Sequence, residues 1–113
     1  MKKYQLGEFE EIVLLTVGVL YDHAYGVAVK DELEKRLERK VSVGALQSAL
    51  RRMEKKGYLE SRLGETDAKR GGKPKRYFYI TAFGKSALDY YKDVRLDLWN
   101  AMPKVVLDLK KSS

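Results

Sequence analysis

The stretch SVGALQSALRRMEKKGYLESRL, residues 42–63, holds the change from helical to strand periodicity that decides the fold. Ser42 is a favourable N-cap, so a helix is predicted from Val43 to Lys56, with Gly57 as its C-cap. Four apolar residues of this helix recur at spacings of three and four, which predicts one narrow buried stripe. They are Val43, Leu46, Leu50 and Met53.

Beyond Gly57 the periodicity falls to two residues, which predicts a pair of strands. The first strand is expected over Tyr58–Leu63 and the second over Arg76–Ile80. A turn-rich, mostly basic loop joins them, so the segment is predicted to form a β-hairpin with an exposed basic tip.

Helical periodicity predicts three further helices around this segment. Two precede it, over Glu8–Tyr21 and about Tyr25–Glu38. The third is long, occupies about Thr81–Lys110 and has its first residue as the cap. Pro103 lacks a backbone N–H and is therefore expected to kink or break this helix near residues 100–102.

The composition of the 113-residue chain leaves very little room for an enzyme. It is 44% hydrophobic and 35% charged, as expected for one soluble domain. No stretch approaches the roughly 18 consecutive apolar residues of a membrane span. The chain has no cysteine, and its single histidine, His23, is interpreted as an exposed loop residue. We therefore expect a cytoplasmic protein that is not an enzyme and binds no metal or cofactor.

The net charge of +7 is concentrated in under a quarter of the chain. Between Arg51 and Arg76, ten basic residues stand against four acidic ones, a local net charge of +6. A solvated helix face mixes both signs, whereas charge concentrated in this way is typical of a protein that binds a polyanion.

The order helix, helix, helix, hairpin, helix is that of a winged helix-turn-helix, a mostly α fold with a small β-hairpin. Residues 1–81 are expected to form the winged-helix DNA-binding domain and residues 82–113 a C-terminal dimerisation helix, together one compact unit. The third helix presents small and basic side chains opposite its buried stripe, which suits the major groove of double-stranded DNA.

Gly44 and Ser48 are expected to permit close approach to the bases. Gln47 is suited to adenine and Arg51 to guanine, while the basic hairpin residues would lie along the DNA backbone or the minor groove. The candidate DNA-binding residues are Ser42, Gly44, Gln47, Ser48, Arg51, Arg52, Lys55, Lys69, Arg70, Lys73, Lys75 and Arg76.

Three motifs resemble the PadR family of bacterial transcriptional regulators. They are LQSALRRMEKKGYL at residues 46–59, GKPKRYFYITAFGKSAL at residues 72–88, and the Tyr25-Gly26 pair. The resemblance covers nearly the whole chain and implies the short-form branch, whose members carry a single C-terminal dimerisation helix. Gln47 departs from the pattern, because the family usually has a tyrosine there that helps to hold the DNA backbone. Two consequences stay open: Gln47 reads a base instead, or it weakens binding.

A long apolar stripe runs along the last helix and is too extensive for a domain of this size to bury alone. A twofold homodimer would bury it and set two recognition helices about one DNA turn apart. The alternative is that the helix folds back on its own core. The expected interface residues are Leu88, Tyr91, Val94, Leu98, Met102, Val105 and Leu109.

Trp99, at the edge of this stripe, has two interpretations. Some PadR-family proteins bind flat aromatic compounds between their paired C-terminal helices, stacked on a tryptophan. The resemblance therefore implies a planar aromatic effector that releases the protein from DNA. The alternative is that Trp99 packs in the dimer interface, where aromatic residues are enriched. The candidate ligand-binding residues are Tyr91, Arg95, Trp99 and Met102.

The leading hypothesis is a DNA-binding transcriptional regulator that acts as a repressor. One alternative is a winged helix used as a protein–protein docking or sensory module without DNA binding, which leaves the local charge of +6 unexplained. Another is non-specific binding of RNA or an anionic membrane. Such binding would not need a helix face free of large side chains, and the sequence lacks the aromatic residues on an open sheet that stack on single-stranded bases.

Overall fold

The computed structural model describes residues 3–64 and 73–110. Within these ranges the chain is mostly helical with one two-stranded antiparallel sheet, so the predicted fold class is confirmed. The first three helices and both strands begin and end within one residue of their predicted bounds. The elements are α1 (Glu8–Leu20), a 3₁₀ turn (Tyr21–His23), α2 (Gly26–Leu37), α3 (Val43–Lys55), β1 (Leu59–Leu63), β2 (Arg76–Ile80), α4 (Ala82–Ala101) and α5 (Lys104–Leu107).

The buried stripe of α3 differs from the prediction by one residue. Leu46, Leu50 and Met53 are buried as predicted, but Val43 is 56% exposed and Ala49 is fully buried. Each residue turns a helix by about 100°, so Val43 and Ala49 lie at opposite edges of the stripe. The core covers the Ala49 edge, and the prediction that Val43 is buried was wrong.

The turn from α3 into the hairpin is fixed by backbone contacts. Gly57 has a φ of 88°, in the left-handed region that favours glycine. The amide of Tyr58 donates to the carbonyl of Met53 at 2.9 Å, which explains why β1 begins one residue later than predicted. Thr81, the N-cap of α4, donates its hydroxyl to the Gly57 carbonyl at 2.6 Å. The start of α4 is therefore held against the end of α3.

The hairpin is paired to the helical part of the chain as well as to itself. Its two strands are antiparallel, with Leu63 opposite Arg76. Tyr25, the N-cap residue of α2, forms an isolated bridge with Tyr77 of β2, and the two ring centroids are 5.6 Å apart. The tip of the hairpin, residues 65–72, lies outside the described residues.

The C-terminal helix is broken in two where Pro103 predicts it. α4 ends at Ala101, and Met102 has φ −66° and ψ 135°. A residue before proline is driven into this extended conformation by contact with the proline ring. The expected break is therefore present, but a single helix to Lys110 was wrong, because α5 is a separate short helix of four residues.

The end of α4 beyond Arg95 extends away from the rest of the molecule. Ala87 near its start is fully buried, whereas the residues after Tyr91 are exposed as far as Ala101. The radius of gyration is 17.2 Å, compared with about 13 Å for a compact domain of this length.

Among the described residues, no helix combines the length and the apolar character needed to cross a membrane.

Candidate nucleic-acid interface

The face of α3 opposite its buried stripe is open to solvent. Its four central positions, residues 44, 48, 51 and 55, lie within about 30° of the direction opposite the stripe. None of them is buried, and their side chains are small or basic. The exposed candidates on this helix and its cap are Ser42, Gly44, Arg51 and Lys55, and Ser48 is half-buried.

Gln47 lies at one edge of this face, against α2. Its Nε2 is 3.0 Å from the position that a Cβ on Gly26 would occupy, and its side chain is half-buried. Gly26 is the first residue of α2, so the lack of a side chain there makes room for the Gln47 amide. Gln47 is thus at the junction of the two helices, beside the outward face.

Arg52 lies at the other edge and contacts α1. Its Nε donates to Oε2 of Glu10 at 3.1 Å, and the Lys56 Nζ is 3.6 Å from the same oxygen. The other carboxylate oxygen of Glu10 accepts the amide of Gly7 at 2.9 Å. Arg52 and Lys56 therefore hold α3 against α1, a contact that the sequence analysis did not anticipate.

Glu10 is one of only two buried polar residues in the described chain, with 7% of its surface exposed. Burial raises the pKa of its carboxyl group, but hydrogen bonds from Gly7 and Arg52 and the nearby charge of Lys56 outweigh that effect. The pKa of Glu10 consequently lies below its ordinary value. The contact with Gly7 is a local capping contact, but Arg52 and Lys56 lie more than 40 positions away, so no local pattern predicts those two ion pairs.

The described basic residues of the hairpin lie in different surroundings. Lys73 is exposed. Lys75 has its Nζ 4.1 Å from the centroid of the Tyr25 ring, within the range of a cation–π contact. Arg76 donates from Nη1 to the Ser61 hydroxyl at 2.9 Å. The predicted contacts Lys69 and Arg70 lie outside the described residues.

The predicted dimer stripe divides into two parts. Leu88 packs against the chain's own core, and the Tyr91 hydroxyl contacts the backbone of Tyr4 and Leu6, at 3.2 Å in each case. The start of α4 therefore folds onto its own domain. Farther along, Leu98 is 64% exposed. The other large apolar residues that are exposed after Tyr91 are Val94, Leu96, Trp99, Val105, Val106, Leu107 and Leu109.

The four predicted ligand-binding residues are not brought together as one group of contacts. Arg95 donates from Nη1 to both carboxylate oxygens of Glu11 at 2.6 Å, and its Cζ is 5.9 Å from the Tyr91 ring centroid. Trp99 is 61% exposed, and its carbonyl accepts the amide of the half-buried Met102 at 3.2 Å.

The family of the chain follows from its sequence. A family model described as the transcriptional regulator PadR-like family matches residues 14–90, which is more than half of the chain. The chain belongs to the PadR-like family of transcriptional regulators. The match includes α2, α3 and the hairpin, and it ends before Tyr91, so the candidate ligand-binding residues lie outside it. No curated protein sequence matches the chain.

Solved structures of two PadR regulators and of a further protein, RosR, share this fold. A PadR-like transcriptional regulator from Bacillus cereus is 22% identical, with a TM-score of 0.70 and coverage of 90% of this chain and 93% of its own. A PadR family transcriptional regulator from Eggerthella lenta is 23% identical, with a TM-score of 0.66 and coverage of 90% and 88%. RosR of H. salinarum, in its complex RosR-S1, is 26% identical, with a TM-score of 0.69 and coverage of 86% and 79%.

The contacts of Glu10 predict a pH-dependent contribution to stability. The folded chain lowers the pKa of Glu10, so the carboxylate stabilises the fold above its unfolded-state value of 4.5. That contribution is lost as the pH falls through the lower, folded value. Glu10→Gln is expected to cost about 1–3 kcal/mol in free energy of unfolding at pH 7, and less below pH 4.

Urea unfolding at pH 7 and at pH 3.5 measures the difference. Glu8→Gln is the matched control, because Glu8 is exposed in the same first turn of α1. An equal cost for Glu10→Gln at both pH values would contradict the assignment.

Proposed function

We propose that this PadR-like protein binds double-stranded DNA at specific sequences and acts as a transcriptional repressor in the cytoplasm. The observation that carries the proposal is the geometry of α3. One side of the helix is buried, and the opposite side is open and lined by small and basic residues. A helix of this kind fits the major groove of B-DNA. Membership of the PadR-like family supports the same function.

The outward face of α3 divides into reading and anchoring positions under this proposal. Gly44 and Ser48 permit close approach, and Arg51 is suited to the O6 and N7 atoms of guanine. Gln47 at the α2 edge is suited to contact an adenine. Arg52 keeps its contact with Glu10 while its other N–H groups bind a phosphate. The Lys55 ammonium group also binds a phosphate. The wing is the hairpin of β1 and β2 with the loop between them, and its basic residues Lys69, Arg70 and Lys73 would contact the DNA backbone.

Arg51 and Lys73 are expected to have different effects on binding. Arg51→Ala removes a base contact, which is typically worth about 1–3 kcal/mol of discrimination, so the preference for the cognate duplex should fall by about fivefold to 150-fold. Lys73→Ala removes a phosphate contact, so affinity for every duplex should fall and the salt slope should flatten by about one unit. Fluorescence anisotropy at several salt concentrations measures both quantities.

The duplexes for this experiment are tiled from the region upstream of the chain's own reading frame, with a shuffled duplex of equal length as the control. Equal affinity of the unmodified chain for cognate and shuffled duplexes would favour non-specific polyanion binding. No binding to either duplex at low salt would favour a docking or sensory module. Loss of specificity in Lys73→Ala rather than Arg51→Ala would reverse the assigned roles.

We further propose that the protein is a homodimer of the short-form type, joined through the outer half of α4 and the residues after it. Monomeric proteins rarely expose contiguous apolar surfaces of this kind. The apolar residues there include Val94, Leu98 and Val105, which are exposed in the single chain. A twofold arrangement of two such helices would bury these residues. It would also place the two α3 helices about one DNA turn apart, so that they could enter successive major grooves.

Trp99 is proposed to pack in this interface. Two of the other candidate ligand-binding residues, Tyr91 and Arg95, make contacts within the chain, to the backbone near Tyr4 and to Glu11. That arrangement favours packing over a pocket. The second proposal, a planar aromatic effector held between two Trp99 side chains that releases the protein from DNA, rests on the resemblance to other PadR-family proteins.

Leu98→Asp is expected to dissociate the dimer. A carboxylate buried without a partner opposes association by several kcal/mol, so the dissociation constant should rise about 100-fold or more. Sedimentation velocity measures the mass, and Trp99 fluorescence on dilution reports the same equilibrium because the chain has a single tryptophan.

Leu63→Asp is the matched control, since Leu63 is an exposed leucine on β1 rather than on α4. That variant should keep the mass of the dimer. A monomeric unmodified chain, or a dimer that persists in Leu98→Asp, would contradict the proposed interface.

A further inference from the structure

Arg76, at the start of β2, is linked to α3 through a third residue. Its Nη1 donates to the Ser61 hydroxyl oxygen at 2.9 Å. The same hydroxyl donates to Oε2 of Glu54 at 2.5 Å. A serine hydroxyl has one proton and two lone pairs, so it can accept from the guanidinium and donate to the carboxylate at once. The three side chains form a continuous hydrogen-bonded chain, here called the stem relay.

The stem relay joins three elements that bear on the proposed DNA contacts. Glu54 belongs to the last turn of α3, Ser61 to β1 and Arg76 to β2. Arg76 is also the first residue of β2 after the loop that forms the wing tip. The relay therefore fixes the root of the wing with respect to the recognition helix.

The stem relay lies at the surface, where its contribution to stability is small. Glu54 and Arg76 are exposed and Ser61 is half-buried. Exposed ion pairs typically contribute under about 1 kcal/mol to the free energy of folding. Its two ends carry opposite formal charges, which shortens and directs the hydrogen bonds between them. The stem relay can therefore orient the wing, although it adds little to the stability of the fold.

A second contact holds Lys75, the residue just before β2. Lys75 lies over the Tyr25 ring, and Tyr25 in turn bridges to Tyr77 of β2. Lys75 therefore contacts the start of α2 directly, whereas Arg76 reaches α3 only through Ser61 of β1. Both residues were predicted as DNA anchors from their charge, yet each contacts the domain itself.

We propose that Glu54, Ser61 and Arg76 act as positioning residues that hold the wing at the angle needed to contact DNA, and that Arg76 is not a phosphate contact. The inference rests on the proposed DNA-binding function. It differs from a purely electrostatic account in the direction in which DNA affinity changes when Glu54 is removed. Glu54 places a negative charge on the recognition helix, so electrostatics alone predicts that its removal strengthens DNA binding.

Glu54→Ala separates the two accounts. The stem relay predicts that this variant binds the cognate duplex about fivefold more weakly, because the wing loses one hydrogen bond that orients it. Glu60→Ala is the matched control, since Glu60 carries the same charge on β1 and lies 3.7 Å from Arg62, outside the relay. It should bind as tightly as the unmodified chain or more tightly. Both alanines are measured in the full chain by fluorescence anisotropy on the same duplex.

The salt dependence of binding distinguishes positioning from phosphate contact. Ser61→Ala leaves the charge unchanged and should weaken binding by about fivefold with the same salt slope. Arg76→Ala should also keep the salt slope. The double variant with Ser61→Ala and Arg76→Ala should bind no more weakly than Arg76→Ala alone, because both changes break the same relay. Equal melting temperatures of these variants would show that the fold is intact.

Tighter binding by Glu54→Ala would overturn the stem relay, and so would unchanged affinity in Ser61→Ala. A slope that flattens by about one unit in Arg76→Ala would make Arg76 a phosphate contact and also overturn it. In each of these outcomes the unmodified chain still binds DNA, so the proposed function stands. An unmodified chain that binds no duplex at low salt would overturn both.

Discussion

The one-sided burial of α3 is the constraint on which the rest of the structure depends. Leu46, Ala49, Leu50 and Met53 are each no more than 1% exposed, and they fill the space between α3 and the other elements. Burial of a leucine or methionine side chain typically stabilises a fold by about 1.5–3 kcal/mol, so this side of the helix cannot turn outward. The opposite side is consequently left to solvent. Under the proposed function, this open side of α3 is the surface that contacts DNA.

Polar contacts at both edges complete the orientation of α3. Glu10 is buried and binds Arg52 and Lys56, which holds the helix to α1. At the end of α3, Glu54 contacts Ser61 of the hairpin. Several basic residues near the proposed DNA surface are therefore part of the domain's own architecture. The local charge of +6 overstates the number of cations that are available to DNA.

Local patterns predicted the fold well, and contacts between distant residues limited the prediction of the site. Ser42, Gly57 and Pro103 each act through neighbouring backbone, so the ends of the helices could be predicted from the sequence. Val43 was assigned to the core because periodicity alone does not say where a buried stripe is centred. The ion pairs of Glu10 were missed because Arg52 and Lys56 are brought close to it only by tertiary packing, and Arg76 was interpreted from its charge without its contact to Ser61.

The central claim is that the outward face of α3 lies on DNA, and thiol protection tests it most directly. The chain has no cysteine, so Ser48→Cys and Lys55→Cys each report on one position of that face. Lys35→Cys is the control, because Lys35 is exposed on α2. Saturation with the cognate duplex should strongly slow thiol modification at positions 48 and 55 and leave position 35 unchanged. Modification of all three thiols at the same rate with and without DNA would contradict the account.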